Sequence, residues 1–106
     1  MQDAIRRLVD LGPLPSEATE DVAFLQLWQR TLETVAPPID NEEAKALCTL
    51  FGVDECFGAA WTLVHLIETS PTLPDDIRAP AGAEYWVEML RDRDFRAKQK
   101  KGYTAR

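Results

Sequence analysis

Residues 57–67 read FGAAWTLVHLI, and this stretch decides the fold because eleven residues pass without a charged side chain. On a helix, its apolar side chains would cover both sides. The polar positions would form one narrow seam that consists of Gly58, Thr62, His65 and Thr69. A helix that is apolar on almost every side is normally buried. The pattern therefore predicts the central helix of a small bundle, over about residues 55–69.

Two helices are predicted before it from apolar residues that recur at three- and four-residue spacing. Helix 1 covers about Asp3–Leu11. Helix 2 follows Ser16, whose hydroxyl can accept hydrogen bonds from the first turn, and it runs to about Val35. Both segments have one apolar face, which is typical of helices packed on a core.

Helix 3 is predicted from the residue pair Asp40 and Glu43, which has the spacing of a capping box with Asp in place of Ser or Thr. This helix runs to about Phe51. Gly52 fits the position after its end, where a left-handed conformation is common. Asp54 is then expected to cap helix 4.

Helix 5 begins near residues 81–83, after a proline-containing loop over 70–82. The chain is therefore expected to be an all-α, single-domain bundle of five helices, with helix 4 at its centre. Short connections favour antiparallel neighbours. The predicted core consists of Trp28, Phe51, Phe57, Trp61, Val64, Leu66 and Trp86.

The charge is distributed unevenly along the 106 residues. Residues 91–106 hold seven basic and two acidic side chains and have a net charge of +5. Since the whole chain has a net charge of −6, residues 1–90 carry −11. The expected organisation is a bundle domain over 1–97 and a basic, flexible tail over 98–106. An acidic body favours a basic protein partner and disfavours nucleic acid, because it repels phosphate.

Neither an apolar secretory segment nor a run long enough to span a membrane is visible in the sequence. Two cysteines, Cys48 and Cys56, are too few for a disulfide framework. We therefore expect a cytoplasmic protein with free thiols and no membrane attachment.

His65 and Glu68 are the one ambiguous polar pair on helix 4, since residues at i and i+3 share a face. A single histidine does not complete a metal site, and Cys48 and Cys56 lack the close spacing of zinc ligands. Cys56 is the better nucleophile candidate because it lies at a helix start. The pattern favours a structural histidine, no catalytic residue, no metal and no cofactor.

The segment over 50–74, LFGVDECFGAAWTLVHLIETSPTLP, resembles small bacterial all-helical proteins that have no established activity. The matching positions are Phe51, Gly52, Asp54, Gly58, Ala60, Trp61, Leu63, His65, Ile67, Glu68, Thr69 and Pro71. The resemblance implies a compact helical protein. In size, acidity and helix content the chain is also similar to immunity proteins that neutralise basic toxins.

The leading hypothesis is a small, acidic, non-enzymatic protein-binding module of the immunity or antitoxin kind. Its expected binding residues are the carboxylates of Asp40, Glu42, Glu43, Asp75 and Asp76. Two alternatives remain open. One is a metal- or ligand-dependent enzyme that uses His65 and Glu68, and the other is a homo-oligomeric structural protein.

Overall fold

The computed structural model describes the backbone of residues 1–104 and the side chains of residues 1–99. Across this range the chain forms five helices and no strand, which confirms the all-α, single-domain bundle. The helices are α1 (Asp3–Leu11), α2 (Val22–Glu33), α3 (Asn41–Cys48), α4 (Ala59–Ile67) and α5 (Glu84–Thr104). None of these helices is long and apolar enough to cross a membrane.

The helices α1 and α2 form an antiparallel pair that is tied at both ends. At one end the Gln2 side chain donates to the carbonyl of Ala36 at 2.8 Å and accepts from its N–H at 2.9 Å. At the other end Trp28 Nε1 donates to the carbonyl of Gly12 at 2.9 Å. The buried indole of Trp28 thus has its one polar group satisfied, as burial requires.

The helices α3 and α4 are also antiparallel, because Ile39, just before α3, donates to Thr69 Oγ1 just after α4 at 3.1 Å. In contrast, α4 and α5 run in the same direction. Trp61 packs edge-on against Trp86, and Glu68, one residue past α4, pairs with Arg93 further along α5. The long connection between them carries the chain back to the start of α4, so antiparallel packing does not hold for this pair.

Helix α4 is the most buried helix of the bundle, as predicted. Six of its nine residues are buried: Ala59, Ala60, Leu63, Val64, Leu66 and Ile67. The predicted polar seam is exposed along its whole length. The other predicted core residues are buried or half-buried, with one exception: Phe57 is 64% exposed, and its assignment to the core is wrong.

The start of α2 differs from the prediction. Asp21 is the N-cap, and its carboxylate accepts from Phe24 N at 3.0 Å. The hydroxyl of Ser16 instead donates to Asp54 at 3.0 Å, so the predicted capping role of Ser16 is wrong. Residues 16–21 lie in turns before the helix, which begins at Val22 and ends at Glu33 and not near Val35. The helix is therefore about two turns shorter than its periodicity predicts.

The capping box of Asp40 and Glu43 is confirmed, with both reciprocal hydrogen bonds present. Helix α3 ends at Cys48 and not near residue 51. Gly52 is not a left-handed helix terminator. A Cβ at this position would lie 2.5 Å from the carbonyl oxygen of Leu14, so glycine is required by close backbone approach.

Helix α5 begins at Glu84 and its backbone continues to Thr104. Beyond Leu90 most of its described side chains are exposed, including Phe95 at 60%. The flexibility predicted for residues 98–106 stays a prediction, and residues 105 and 106 lie outside the described part.

Candidate partner-binding site

The five carboxylates predicted to bind a partner lie on two neighbouring segments, the start of α3 and the loop after α4. Asn41 joins these segments, because its amide donates to Thr72 Oγ1 at 2.9 Å and accepts from Thr72 N at 3.2 Å. Four of the five are exposed and are called the α3 acidic face: Asp40, Glu42, Asp75 and Asp76.

The fifth, Glu43, is only 5% exposed and serves the fold. One of its oxygens accepts from Gln2 N at 2.9 Å and the other from Asp40 N at 3.1 Å, which ties α1 to α3. Asp76 forms an ion pair with Lys45, and this hydrogen bond holds the pKa of Asp76 below its usual value. Part of the negative charge on the α3 acidic face is therefore compensated within the chain.

The polar pair on the central helix is not a pair in the structure. Both oxygens of Glu68 accept from Arg93, from Nε at 2.8 Å and from Nη2 at 2.9 Å. His65 is exposed, and its imidazole forms no hydrogen bond with a side chain or carbonyl within residues 1–99. In the same range, no group of three His, Cys, Asp or Glu side chains is placed to hold a metal ion.

Both cysteine thiols are buried and free. Burial raises the pKa of Cys48 to about 12, although Arg91 acts in the opposite direction. Burial, together with the carboxylates of Asp54 and Glu17, raises the pKa of Cys56 as well. Both thiols are therefore protonated near neutral pH, which argues against a nucleophilic cysteine.

The loop that leads into α4 has an unusual backbone. Cys56, Phe57 and Gly58 have φ values of 45°, 54° and 88°, so three consecutive residues are left-handed. Glycine accepts this conformation easily, but each non-glycine residue in it costs about 1–2 kcal/mol. Gly58 is the N-cap of α4. The helix therefore begins at Ala59 and not near residue 55, and Phe57 lies outside it.

The carboxylate of Asp54 stabilises this loop and does not cap α4, so its predicted role is wrong. Oδ1 accepts from Cys56 N at 2.9 Å, and Oδ2 accepts from Ser16 Oγ and from Glu17 N, each at 3.0 Å. Burial acts to raise the pKa of Asp54, but these hydrogen bonds outweigh it and hold the pKa below its usual value. A charged Asp54 thus joins the loop to the segment before α2.

Phe57 is fixed in position although it is mostly in solvent. Its N–H donates to Glu17 Oε1 at 3.0 Å, and its side chain is 64% exposed. Burial of the Phe57 side chain therefore contributes little to stability, whereas its left-handed backbone conformation costs free energy. Backbone strain of this kind is concentrated at functional sites in proteins.

A groove of about 290 Å³ lies beside Phe57, between the end of α2 and the start of α4. Its walls are formed by Gln29, Leu32, Glu33, Phe57, Gly58, Ala59 and Thr62. Pockets that enclose drug-sized molecules have volumes of about 300–1,000 Å³. This groove is at the lower limit of that range, and its size suits one inserted side chain.

Four carboxylates lie beside Phe57 or in the lining of the groove: Glu17, Glu33, Asp54 and Glu55. Glu55 also accepts from Trp61 Nε1 at 2.9 Å. The ion pairs formed among residues 1–99 involve none of the four carboxylates. We call Phe57, the groove and these carboxylates the Phe57 site. It combines an exposed aromatic ring with negative charge that no cation of the described chain neutralises.

One residue in the sequence, Gly58, indicated the left-handed loop at this site, although the apolar pattern around it favoured a continuous helix. Gly58 interrupts the apolar run, and glycine inside a helix is unfavourable, whereas it is common where the backbone must be left-handed. The contacts of Asp54 with Ser16 and Glu17 join residues that are 38 and 37 positions apart, and no local pattern indicates them.

Comparisons with protein-family models, with curated proteins and with solved structures found nothing that matches this chain. The resemblance of residues 50–74 to small bacterial helical proteins therefore stays a prediction.

Proposed function

We propose that this chain is a small, non-enzymatic protein-binding module whose partner is a basic protein. The observation that carries the proposal is the Phe57 site, in which an exposed aromatic ring and a groove lie beside carboxylates that form no ion pair within residues 1–99. Protein interfaces typically combine a central aromatic anchor with a polar rim. The Phe57 site has both parts of this arrangement.

The charge of the chain supports the same proposal. Four carboxylates around Phe57 and four on the α3 acidic face are exposed or half-exposed. Complementary charge increases the rate at which partners meet and selects against wrong partners, while the apolar contacts supply most of the affinity. In this proposal the α3 acidic face contributes attraction at long range, and the Phe57 site makes the specific contact.

More specifically, we propose that the chain belongs to the immunity or antitoxin class of binding proteins. A small acidic protein of this class binds a basic toxin and blocks it without chemistry of its own. Two observations are consistent with that class: the thiols are buried with raised pKa values, and Glu68 is committed to Arg93.

Affinity capture tests the proposal. The full chain is immobilised and exposed at low salt to an extract of the source cells, and retained proteins are identified and purified. We expect a basic protein that forms a stoichiometric complex with a Kd that rises with ionic strength, because exposed charges are screened by salt. Failure to retain any protein at any salt concentration would overturn the proposal, as would a partner whose Kd does not depend on salt.

A further inference from the structure

We propose that the groove of the Phe57 site takes one large apolar side chain from a basic segment of the partner, with lysines or arginines on both sides of that side chain. This inference rests on the proposed function and adds the chemistry of the segment that binds. It follows from the shape of the groove, from the charges around it and from the position of Phe57.

The groove is small, and its lining is partly apolar and partly polar. Leu32 from α2 and Ala59 from α4 line it, and the exposed ring of Phe57 forms one wall. Its volume of about 290 Å³ leaves room for a side chain of the size of leucine or phenylalanine but not for an extended ligand. An anchor of this kind, inserted into a small pocket, is typical of the residues that dominate binding free energy.

Negative charge lies on both sides of the groove. Glu33 lines it on the α2 side. On the α4 side, Glu17 accepts a hydrogen bond from the N–H of Phe57, and Glu55 accepts one from Nε1 of Trp61 on α4. A segment that inserts an apolar side chain would therefore meet carboxylates before and after it. Cations at those positions are attracted, whereas an acidic or phosphorylated segment is repelled.

Phe95 provides a contrast within the same chain. It is exposed to 60%, almost as much as Phe57, but its surroundings differ. Nearby on α5, Arg96 pairs with Asp92 and Lys98 pairs with Asp94, so the charges around Phe95 are balanced. Phe95 is therefore the matched control for an exposed phenylalanine that lacks an acidic setting.

The experiment is an NMR titration of the full chain with a short synthetic peptide of lysine and alanine that carries one central leucine. Two control peptides replace the leucine by alanine or all lysines by glutamate. Two protein variants accompany them, Phe57→Asn and Phe95→Asn, because asparagine accepts a left-handed backbone better than other non-glycine residues. A third variant, Glu33→Lys, keeps Phe57 and reverses one charge at the groove.

We expect the leucine peptide to shift the amide signals of Gln29, Gly58 and Thr62. Its affinity should fall about tenfold or more with the alanine peptide, with Phe57→Asn and with Glu33→Lys, and should not change with Phe95→Asn. The glutamate peptide should not bind.

Three results would overturn the inference. If the leucine and alanine peptides bind equally, or if the shifts fall on the α3 acidic face, the groove takes no anchor, although the preference for a basic partner stands. If no lysine peptide binds while the captured partner does, the partner uses another chemistry at this site. Absence of both kinds of binding would remove the proposed function itself.

Discussion

Replacement of Asp54 by alanine is the most informative single change, because this carboxylate holds the loop that presents Phe57. Asp54→Ala removes three hydrogen bonds, those from Ser16 Oγ, Glu17 N and Cys56 N. Hydrogen bonds to charged groups contribute about 1.5–3 kcal/mol each when buried, and about 1 kcal/mol where water can replace them. Because Asp54 is half-buried, we expect the free energy of unfolding to fall by about 2–3 kcal/mol.

Urea denaturation followed by tryptophan fluorescence measures this loss, since Trp28 is in the core and Trp61 packs near the loop. The corresponding fall in Tm is about 10–20 °C for a domain of this size. Asp21→Ala is a matched control, because Asp21 accepts one hydrogen bond at the start of α2. It should cost about 1 kcal/mol, the usual value for an N-cap.

The pH dependence of stability provides a second check on Asp54. Its pKa in the folded state lies below the ordinary value of 3.8. Its stabilising contribution is therefore fully present above that ordinary value and is lost as the pH falls through the lower, folded-state pKa. In Asp54→Asn, the free energy of unfolding should therefore decrease less as the pH falls.

A decrease in the free energy of unfolding below about 0.5 kcal/mol for Asp54→Ala, no larger than that of an ordinary surface substitution, would refute the role assigned to Asp54.

Three further predictions concern the fold around the site. Gly52→Ala should lower the free energy of unfolding by about 1–3 kcal/mol, measured by urea denaturation, because the new Cβ would meet Leu14 O at 2.5 Å. Glu43→Ala should cost about 2–3 kcal/mol in the same assay, since it leaves two backbone N–H groups without their acceptor. Cys48 and Cys56 should react with a thiol reagent only as fast as the protein unfolds, because both are buried; fast reaction in the native state would contradict their burial.

The parts of the fold that the sequence predicts correctly are those governed by local patterns. The bounds of α1 and the capping box of Asp40 and Glu43 depend on residues within one or two turns of each other. The burial of α4 follows from its composition, because a segment with so few polar positions has only a narrow face to offer to solvent.

The errors concern residues whose roles depend on distant contacts. Phe57 continues the apolar stripe of α4, and periodicity alone places it in the core. The structure removes it from the helix because the backbone is left-handed at this point and Asp54 holds the loop to a segment far away in sequence. Local patterns favour a helix start at Ser16 and a helix end at Gly52, but both residues act in long-range contacts instead.

For the candidate site as well, the sequence predicts what local composition determines and misses what depends on distant contacts. The sequence indicated an acidic surface and a basic partner, since net charge is additive along the chain. It did not indicate which carboxylates are paired. Asp76 is neutralised by Lys45 and Glu43 is buried, whereas the ion pairs among the described residues include neither Glu17 nor Glu33. The acidic surface with the least compensation is therefore the Phe57 site and not the α3 acidic face.

The most direct test compares two charge reversals in the complex with the captured partner, Glu33→Lys at the groove and Glu42→Lys on the α3 acidic face. Both glutamates are exposed and lie on helices, so neither change should unfold the protein. Calorimetric titration would give the Kd of each variant. We expect Glu33→Lys to weaken binding about tenfold or more and Glu42→Lys to weaken it by about threefold at most. Equal effects, or a larger effect of Glu42→Lys, would contradict the claim that the Phe57 site makes the specific contact.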